Sequence, residues 1–183
     1  PDVVGALHRV DVLNSVDSTN RYLMAMGETA NRVVCLAEYQ SQGRGRRGRS
    51  WSSPFGKNLY LSLGWQFDGG AASLEGLSLV VGIAVRRALS DSDQLRLKWP
   101  NDLHYQGQKL AGILLEMQGD PAGLCHVVIG IGVNIGMGND SRPDIDQPWS
   151  DASALGFTSR NQLAGQILNQ LVPVLQTFGE RGF

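Results

Sequence analysis

With 183 residues, 42% of them apolar and 18% charged, the chain is long enough to bury one sizeable core and has ordinary globular composition. Its 16 basic and 17 acidic residues give a formal net charge of -1, which excludes a bulk electrostatic case for nucleic acid or a membrane surface, so any anion binding must rest on local charge. No apolar stretch approaches the roughly 18 residues of a membrane span, and Cys35 and Cys125 each sit inside an apolar run, where they read as reduced core thiols of a cytoplasmic protein.

In chain order, Val10, Val12 and Asn14 alternate as a strand, and Asp17-Ser18-Thr19-Asn20 offers N-caps for a short helix through Met26. Val33 to Tyr39 is a buried strand. Gln40 to Lys57, with four glycines and a proline, is a long irregular loop, a length usually reserved for function. Asn58 to Gln66 resumes as a strand, and Leu77, Val80, Val81, Ala84 and Ala88 recur at helical spacing within Gly76 to Leu89. Strands follow over Leu95 to Trp99, Asp102 to Tyr105, Lys109 to Met117 and Leu124 to Ile135, the middle two flanking a Gln-Gly turn that suits a hairpin. Gly136 to Ser150 reads as a surface loop. Leu163, Ile167, Leu171, Val174, Leu175 and Phe178 mark a final helix, interrupted or kinked near Pro173. This order predicts one α+β domain over residues 1–183: a mixed, largely antiparallel sheet of about six or seven strands with helices mainly on one face. The start at Pro1, without a methionine, reads as a fragment boundary.

Gly43-Arg44-Gly45-Arg46-Arg47-Gly48-Arg49 places four guanidinium groups among seven residues with no acid. An anion is expected there, since the arginine fork suits carboxylate and phosphate oxygens and the glycines let backbone approach a ligand. A solvated basic loop and a nucleic-acid patch with Trp51 stacking on a base are the alternatives. The segment satisfies G-x-G-x-x-G, but Ser50-Trp51-Ser52-Ser53-Pro54 forbids the helix a dinucleotide fingerprint requires, and there is no P-loop.

Lys98-Trp99-Pro100-Asn101-Asp102 sets a lysine, an amide and a carboxylate at a strand end, where Asp102 suits magnesium or a ribose hydroxyl, or simply caps its own turn. Lys109 precedes an almost wholly apolar strand through Glu116 and points either into a cleft or to solvent. Gly130-Ile131-Gly132-Val133-Asn134 carries glycines inside a strand, a sign of a closely approaching ligand or backbone, or of a bulge.

Taken jointly and in this order, Ser18-Thr19-Asn20, Glu38-Tyr39-Gln40, Gly43 to Trp51, Lys98 to Leu103, Lys109 to Glu116 and Gly130 to Asn134 resemble the catalytic domain of biotin protein ligases, from about Arg9 to the last helix. The resemblance implies a class II synthetase-like fold shared with lipoate ligases, and an enzyme that uses ATP and Mg2+ to make biotinyl-adenylate before biotinylating a lysine of a biotin carboxyl carrier protein. It implies that Ser18, Thr19, Asn20 and Gln40 bind the ureido head, with Gly43, Arg44, Gly45, Arg46, Lys109 and Gly112 completing the biotin site. It implies that Arg44, Arg46, Arg47, Arg49, Trp51, Lys98, Asn101, Asp102, Lys109 and Asn134 serve ATP. Lys109, Arg46 and Asp102 are the catalytic expectations; the metal ligands are left unassigned.

Family members usually carry a small C-terminal β-barrel, and some an N-terminal helix-turn-helix that represses transcription; neither is expected within this chain, so DNA is a partner only through such a domain. Homodimers through sheet edges are a further family expectation. The alternatives are a lipoate or octanoate ligase or transferase, a biotin-sensing regulatory module, and, least of all, a nucleic-acid-binding domain.

Overall fold

Three runs, Val33–Ala37, Leu59–Phe67 and Cys125–Val133, are buried almost throughout, as strands must be when elements cover both of their faces. In the computed structural model, which describes residues 3–120, 122–137, 145 and 147–183, they lie inside a seven-stranded sheet. The strands are β1 (Arg9–Leu13), β2 (Val33–Ala37), β3 (Leu59–Phe67), β4 (Leu95–Lys98), β5 (Asp102–Tyr105), β6 (Gln108–Gly119) and β7 (Cys125–Val133), in the order β1-β2-β3-β7-β6-β5-β4. Only the β1/β2 pair is parallel. A parallel pair needs a crossover, and the helical segment between these two strands supplies it. The mixed, largely antiparallel sheet expected from the sequence is the one observed.

The helices are α1 (Val3–Ala6), α2 (Thr19–Met26), α3 (Leu77–Leu89) and α4 (Arg160–Arg181). Alternate residues of β3 and β7, among them Leu61, Leu63, Ile129 and Ile131, pack against Leu77, Val81 and Val85 of α3 and Leu163, Ile167 and Leu171 of α4. Phe178 of α4 meets Phe67 edge-on, with ring centroids 5.7 Å apart. The two long helices therefore share one face. The short α2 lies on the opposite face, where Leu23 packs with Val33, Cys35 and Val128 in a second, smaller core. Both cysteines are buried and free, as expected of core thiols.

Pro173 neither ends nor divides α4, which runs from Arg160 to Arg181. The buried stripe continues on both sides of the proline, through Ile167 and Leu171 to Leu175 and Phe178, and this packing outweighs the roughly 3 kcal/mol that an interior proline costs. Of the expected loop from Gly136 to Ser150, residues 138–144 and 146 lie outside the described residues. The part nearest β6 is tied down: Trp149 forms a parallel bridge with Lys109.

Candidate active site on the open face of the sheet

Ser18 caps α2, its hydroxyl accepting from the Arg21 N–H, and this cap points the first turn of the helix at the sheet. Ser18, Thr19, Asn20 and Gln40 are 2%, 4%, 4% and 8% exposed, an unusual concentration of buried uncharged polar groups. Burial without partners would cost several kcal/mol, and the groups avoid it by bonding to one another. Gln40 Oε1 accepts from Thr19 N at 2.9 Å and from Thr19 Oγ1 at 3.1 Å, while Gln40 Nε2 donates to Ser53 Oγ at 3.1 Å. Ser62 of β3 donates to Asn20 Oδ1 at 2.6 Å and sits 2.8 Å from Thr19 Oγ1. Asn20 Nδ2 donates to the Leu114 carbonyl and, at 3.0 Å, to Glu116 Oε2. The result is a rigid, neutral, donor-and-acceptor wall.

The sheet beneath is bare. Gly112 of β6 and Gly132 of β7 are register partners, and the indole of Trp51 lies on them: a Cβ added at Gly132 would stand 2.6 Å from Trp51 Cε2, and one at Gly112 3.0 Å from Trp51 Cζ3. At Gly130 an added Cβ would run into the Asn20 amide. Glycine at both β7 positions lets Asn20 and Trp51 rest directly on the strand, since any side chain there would push them off. Trp51 Nε1 is buried and has no hydrogen-bond partner among the described residues, a cost of about 1–3 kcal/mol that a ligand oxygen or a small movement of the loop would relieve.

Lys109 reaches this face through a bulge. The β5/β6 register shifts between Leu103 and His104, and Leu110 and Ala111, although adjacent, are both fully buried in the α3/α4 core. Strict alternation from Gly112 would turn Lys109 toward that core; the extra residue turns it to the open side instead. There Lys109 Nζ lies 2.9 Å from Asp102 Oδ2 and 5.5 Å from the centre of the Trp51 ring. Arg44 Nη1 is held 2.7 Å from Glu116 Oε1.

Ser18, Thr19, Asn20 and Gln40 line one cavity of about 90 Å³ together with Arg44, Gly45, Arg46 and Arg49 of the loop and Asn101, Asp102, Lys109 and Gly112, while Ser53, Ser62 and Glu116 support it from outside. It adjoins a groove of about 990 Å³ that shares Arg44, Gly45, Arg46 and Asn101. The enclosed part alone is below the ~300 Å³ typical of a small-molecule pocket, so a ligand of that size extends into the adjoining groove or shifts Trp51 or the arginine loop.

Four residues singled out from sequence lie off this cavity. Gly43 is packed against Ser53 Oγ and the Trp51 carbonyl, each 2.5 Å from an added Cβ, and its own carbonyl accepts from Trp51 N. Arg47, at φ 57°, lines the groove. Lys98 is at the exposed end of edge strand β4. Asn134 is buried, and its amide donates to the Lys109 and Ser150 carbonyls, fixing the backbone that carries Lys109. Conversely, Ser62, Ser53 and Glu116 were not singled out. Ser62 left one signal, a small hydroxyl in a mostly apolar strand.

Among the described residues no helix is long and apolar enough to cross a membrane, and no three His, Cys, Asp or Glu side chains converge as a metal site.

Residues 12–134 match the model of the Biotin/lipoate A/B protein ligase family. The bifunctional ligase/repressor BirA of Escherichia coli (strain K12) is 44% identical over 177 residues, covering 94% of this chain and 55% of that protein. The biotin--[acetyl-CoA-carboxylase] ligase of Mycobacterium tuberculosis is 33% identical over 174 residues, 89% of this chain and 62% of its own length. The chain thus spans little more than half the length of these relatives. Among solved structures, the biotin protein ligase from Aquifex aeolicus in complex with biotin and ATP superposes with a TM-score of 0.76 at 28% identity, over 96% of this chain and 73% of that one. The Leishmania major enzyme in complex with biotinyl-5-AMP gives 0.71 at 26%, over 94% and 81%.

Proposed function

Because the chain belongs to the Biotin/lipoate A/B protein ligase family, we propose that it is the catalytic domain of an ATP-dependent biotin ligase, which adenylates biotin and passes it to a lysine of a carrier protein. The observation that carries this reading is the union, in one cavity, of a neutral hydrogen-bonding wall with a pair of cations. The wall of Ser18, Thr19 and Gln40 matches a ureido group, which has two N–H donors and one carbonyl. Arg44 and Lys109 match the two anions that must meet for adenylation. Biotin- and ATP-bound relatives with this fold support the substrates.

In the first step a carboxylate oxygen bonds to the α-phosphorus of ATP, the bond to the β-phosphate oxygen breaks, and pyrophosphate leaves. Two anions approach and charge accumulates on the leaving group, so pre-placed cations lower the barrier. Lys109 takes the carboxylate and α-phosphate oxygens, and Arg44 and Arg46, with Gly45 allowing close backbone approach, cover them from the loop. Arg49, Trp51 and Asn101 serve the nucleotide side. Gly112 leaves room for the chain joining the ureido head to the carboxylate.

Asn20 faces the cavity with its amide already committed to protein partners, and Gly43 shapes the wall from outside the cavity, its Cα packed against Ser53 and Trp51. Asn134 supports Lys109 from behind, and Arg47 and Lys98 act from the rim. Asp102 is the carboxylate at the nucleotide end that would help hold Mg2+, which would offset the charge of the phosphates. In the second step the acceptor amine attacks the acyl carbon, loses a proton and displaces AMP. Asp102, freed when Lys109 turns to the substrate, orients that amine.

The acceptor is a biotin carboxyl carrier protein, and the free thiols of Cys35 and Cys125 support a cytoplasmic location. DNA is a partner only for a longer protein that carries a DNA-binding domain, and pairing through sheet edges is the assembly the family suggests. Pyrophosphate release with ATP and magnesium, comparing biotin with lipoate or octanoate, tests the ligase reading: biotin-dependent release is expected, and release only with lipoate or octanoate overturns it.

A further inference from the structure

Glu116 joins the two halves of the site. It stands on β6 two residues beyond Leu114, on the same side of the strand as Gly112, and each of its carboxylate oxygens has its own partner. Oε2 accepts from Asn20 Nδ2 at 3.0 Å, and Asn20 is 4% exposed and carries the polar wall. Oε1 accepts from Arg44 Nη1 at 2.7 Å, with side-chain exposures of 44% for Arg44 and 19% for Glu116. The bond to Asn20 links two fixed elements, β6 and α2. The bond to Arg44 links a fixed element to a loop of three glycines and four arginines, whose other described backbone ties are the short ladder joining Arg44 to Ser50 and the contacts of Gly45, Arg49 and Trp51 beside it. That loop covers the enclosed cavity and borders the groove beside it.

We propose that Glu116 is a positioning residue with two duties: it fixes the Asn20 amide throughout, and it holds Arg44 over the pocket until the carboxylate or phosphate of the substrate takes the guanidinium from it. The inference rests on the reading of Arg44 as an anion ligand for biotin. Glu116 does for Arg44 what Asp102 does for Lys109: a protein carboxylate stands in for the substrate anion, so the cation is placed but not free to bind any passing anion. Arg44 keeps one carboxylate partner throughout, but the displaced Glu116 then stands without its cation beside the substrate anion, so loading carries a cost that loss of the Glu116 charge relieves.

Glu116→Gln separates the duties, because an amide oxygen still accepts from Asn20 while the charge that holds Arg44 is gone. The first readout needs no ligand. Trypsin cuts after arginine, so the loop reports its own release: in the whole chain, cleavage between Arg44 and Arg49 is expected to be at least about 5-fold faster in the Gln variant, with the thermal midpoint little changed. The second readout compares biotin with its uncharged methyl ester. Loop order affects both ligands alike and cancels in their ratio, so the biotin-to-ester affinity ratio is expected to rise about 2- to 5-fold, the range of an exposed ion pair.

Unchanged cleavage and an unchanged ratio overturn the latch. If cleavage accelerates but neither chain binds biotin or its ester, the latch stands and the biotin reading fails. Should Glu116→Gln not fold, Arg44→Gln breaks the same pair from the loop side, and slow cleavage after Arg46, Arg47 and Arg49 in that variant overturns the proposal.

Discussion

Lys109 Nζ and Asp102 Oδ2 lie 2.9 Å apart, with side chains only 12% and 18% exposed, at the end of the pocket away from the buried amides. Screening by water is therefore weak, and the pair is poised to exchange one carboxylate for another. Lys109→Ala should lower biotin-dependent pyrophosphate release by at least about 100-fold, the scale for removing one preorganised charge donor. Asp102 then loses its partner but retains some contact with water, so the stability loss should stay near 1–3 kcal/mol, measurable by denaturant unfolding. Near-normal release from a folded variant would remove Lys109 from the chemistry.

The glycine floor gives a steric prediction. In Gly132→Ala the new methyl group must occupy space 2.6 Å from the Trp51 ring, and the whole indole has to lift. Tryptophan fluorescence of the free protein should change, and the KM for ATP should rise about 10-fold or more while the fold is kept. Gly156→Ala serves as a control, since nothing lies near its position, although its φ of 87° makes that change somewhat strained. Unaltered ATP kinetics in Gly132→Ala would mean that Trp51 does not serve the nucleotide.

Much of this was legible in the sequence, for physical reasons that differ by element. Hydrophobic alternation and capping residues located α2, the hairpin of β5 and β6 and the buried strands, because local periodicity is written directly in residue type. The bulge that aims Lys109 was not legible: Leu110, Ala111 and Gly112 form one apolar run, and only pairing with β5 reveals the extra residue. Asn134 was read as a ligand contact because an exposed or buried amide looks the same in sequence; its bonds to the Lys109 and Ser150 carbonyls are long-range facts. Glu116 and Ser62 escaped for the same reason, since their partners Arg44 and Asn20 are distant in the chain.

Arg46 lies over both the enclosed cavity and the groove, so it guards the opening between them. Arg46→Gly removes a cation from the intermediate and adds backbone freedom to a loop already rich in glycine. The adenylate should escape faster, and bystander proteins mixed with the variant, biotin and ATP should become biotinylated on surface lysines. Normal intermediate lifetime without such labelling would place Arg46 outside the retention of the adenylate.

Asp151 carries a prediction about pH. It caps the short turn Ala152–Leu155 by accepting from Ser153 N, and its other oxygen accepts from Met137 N at 2.9 Å, so it closes the segment whose Trp149 bridges to Lys109. Burial disfavours its charged form, but hydrogen bonds from Ser153 and from the backbone N–H groups of Met137 and Gly136 outweigh that, and the carboxyl is held below its ordinary value of 3.8. A folded-state value below the unfolded one means that the charged form stabilises the fold above about pH 4, and that this contribution fades as pH falls through the folded-state value. Asp151→Ala should therefore cost about 1–2 kcal/mol at neutral pH, as lost caps do, and progressively less on acidification. Denaturant unfolding of both proteins at pH 7 and near pH 3 measures the difference; a gap that stays constant or widens in acid would show that the charge of Asp151 is not what holds the segment against Lys109.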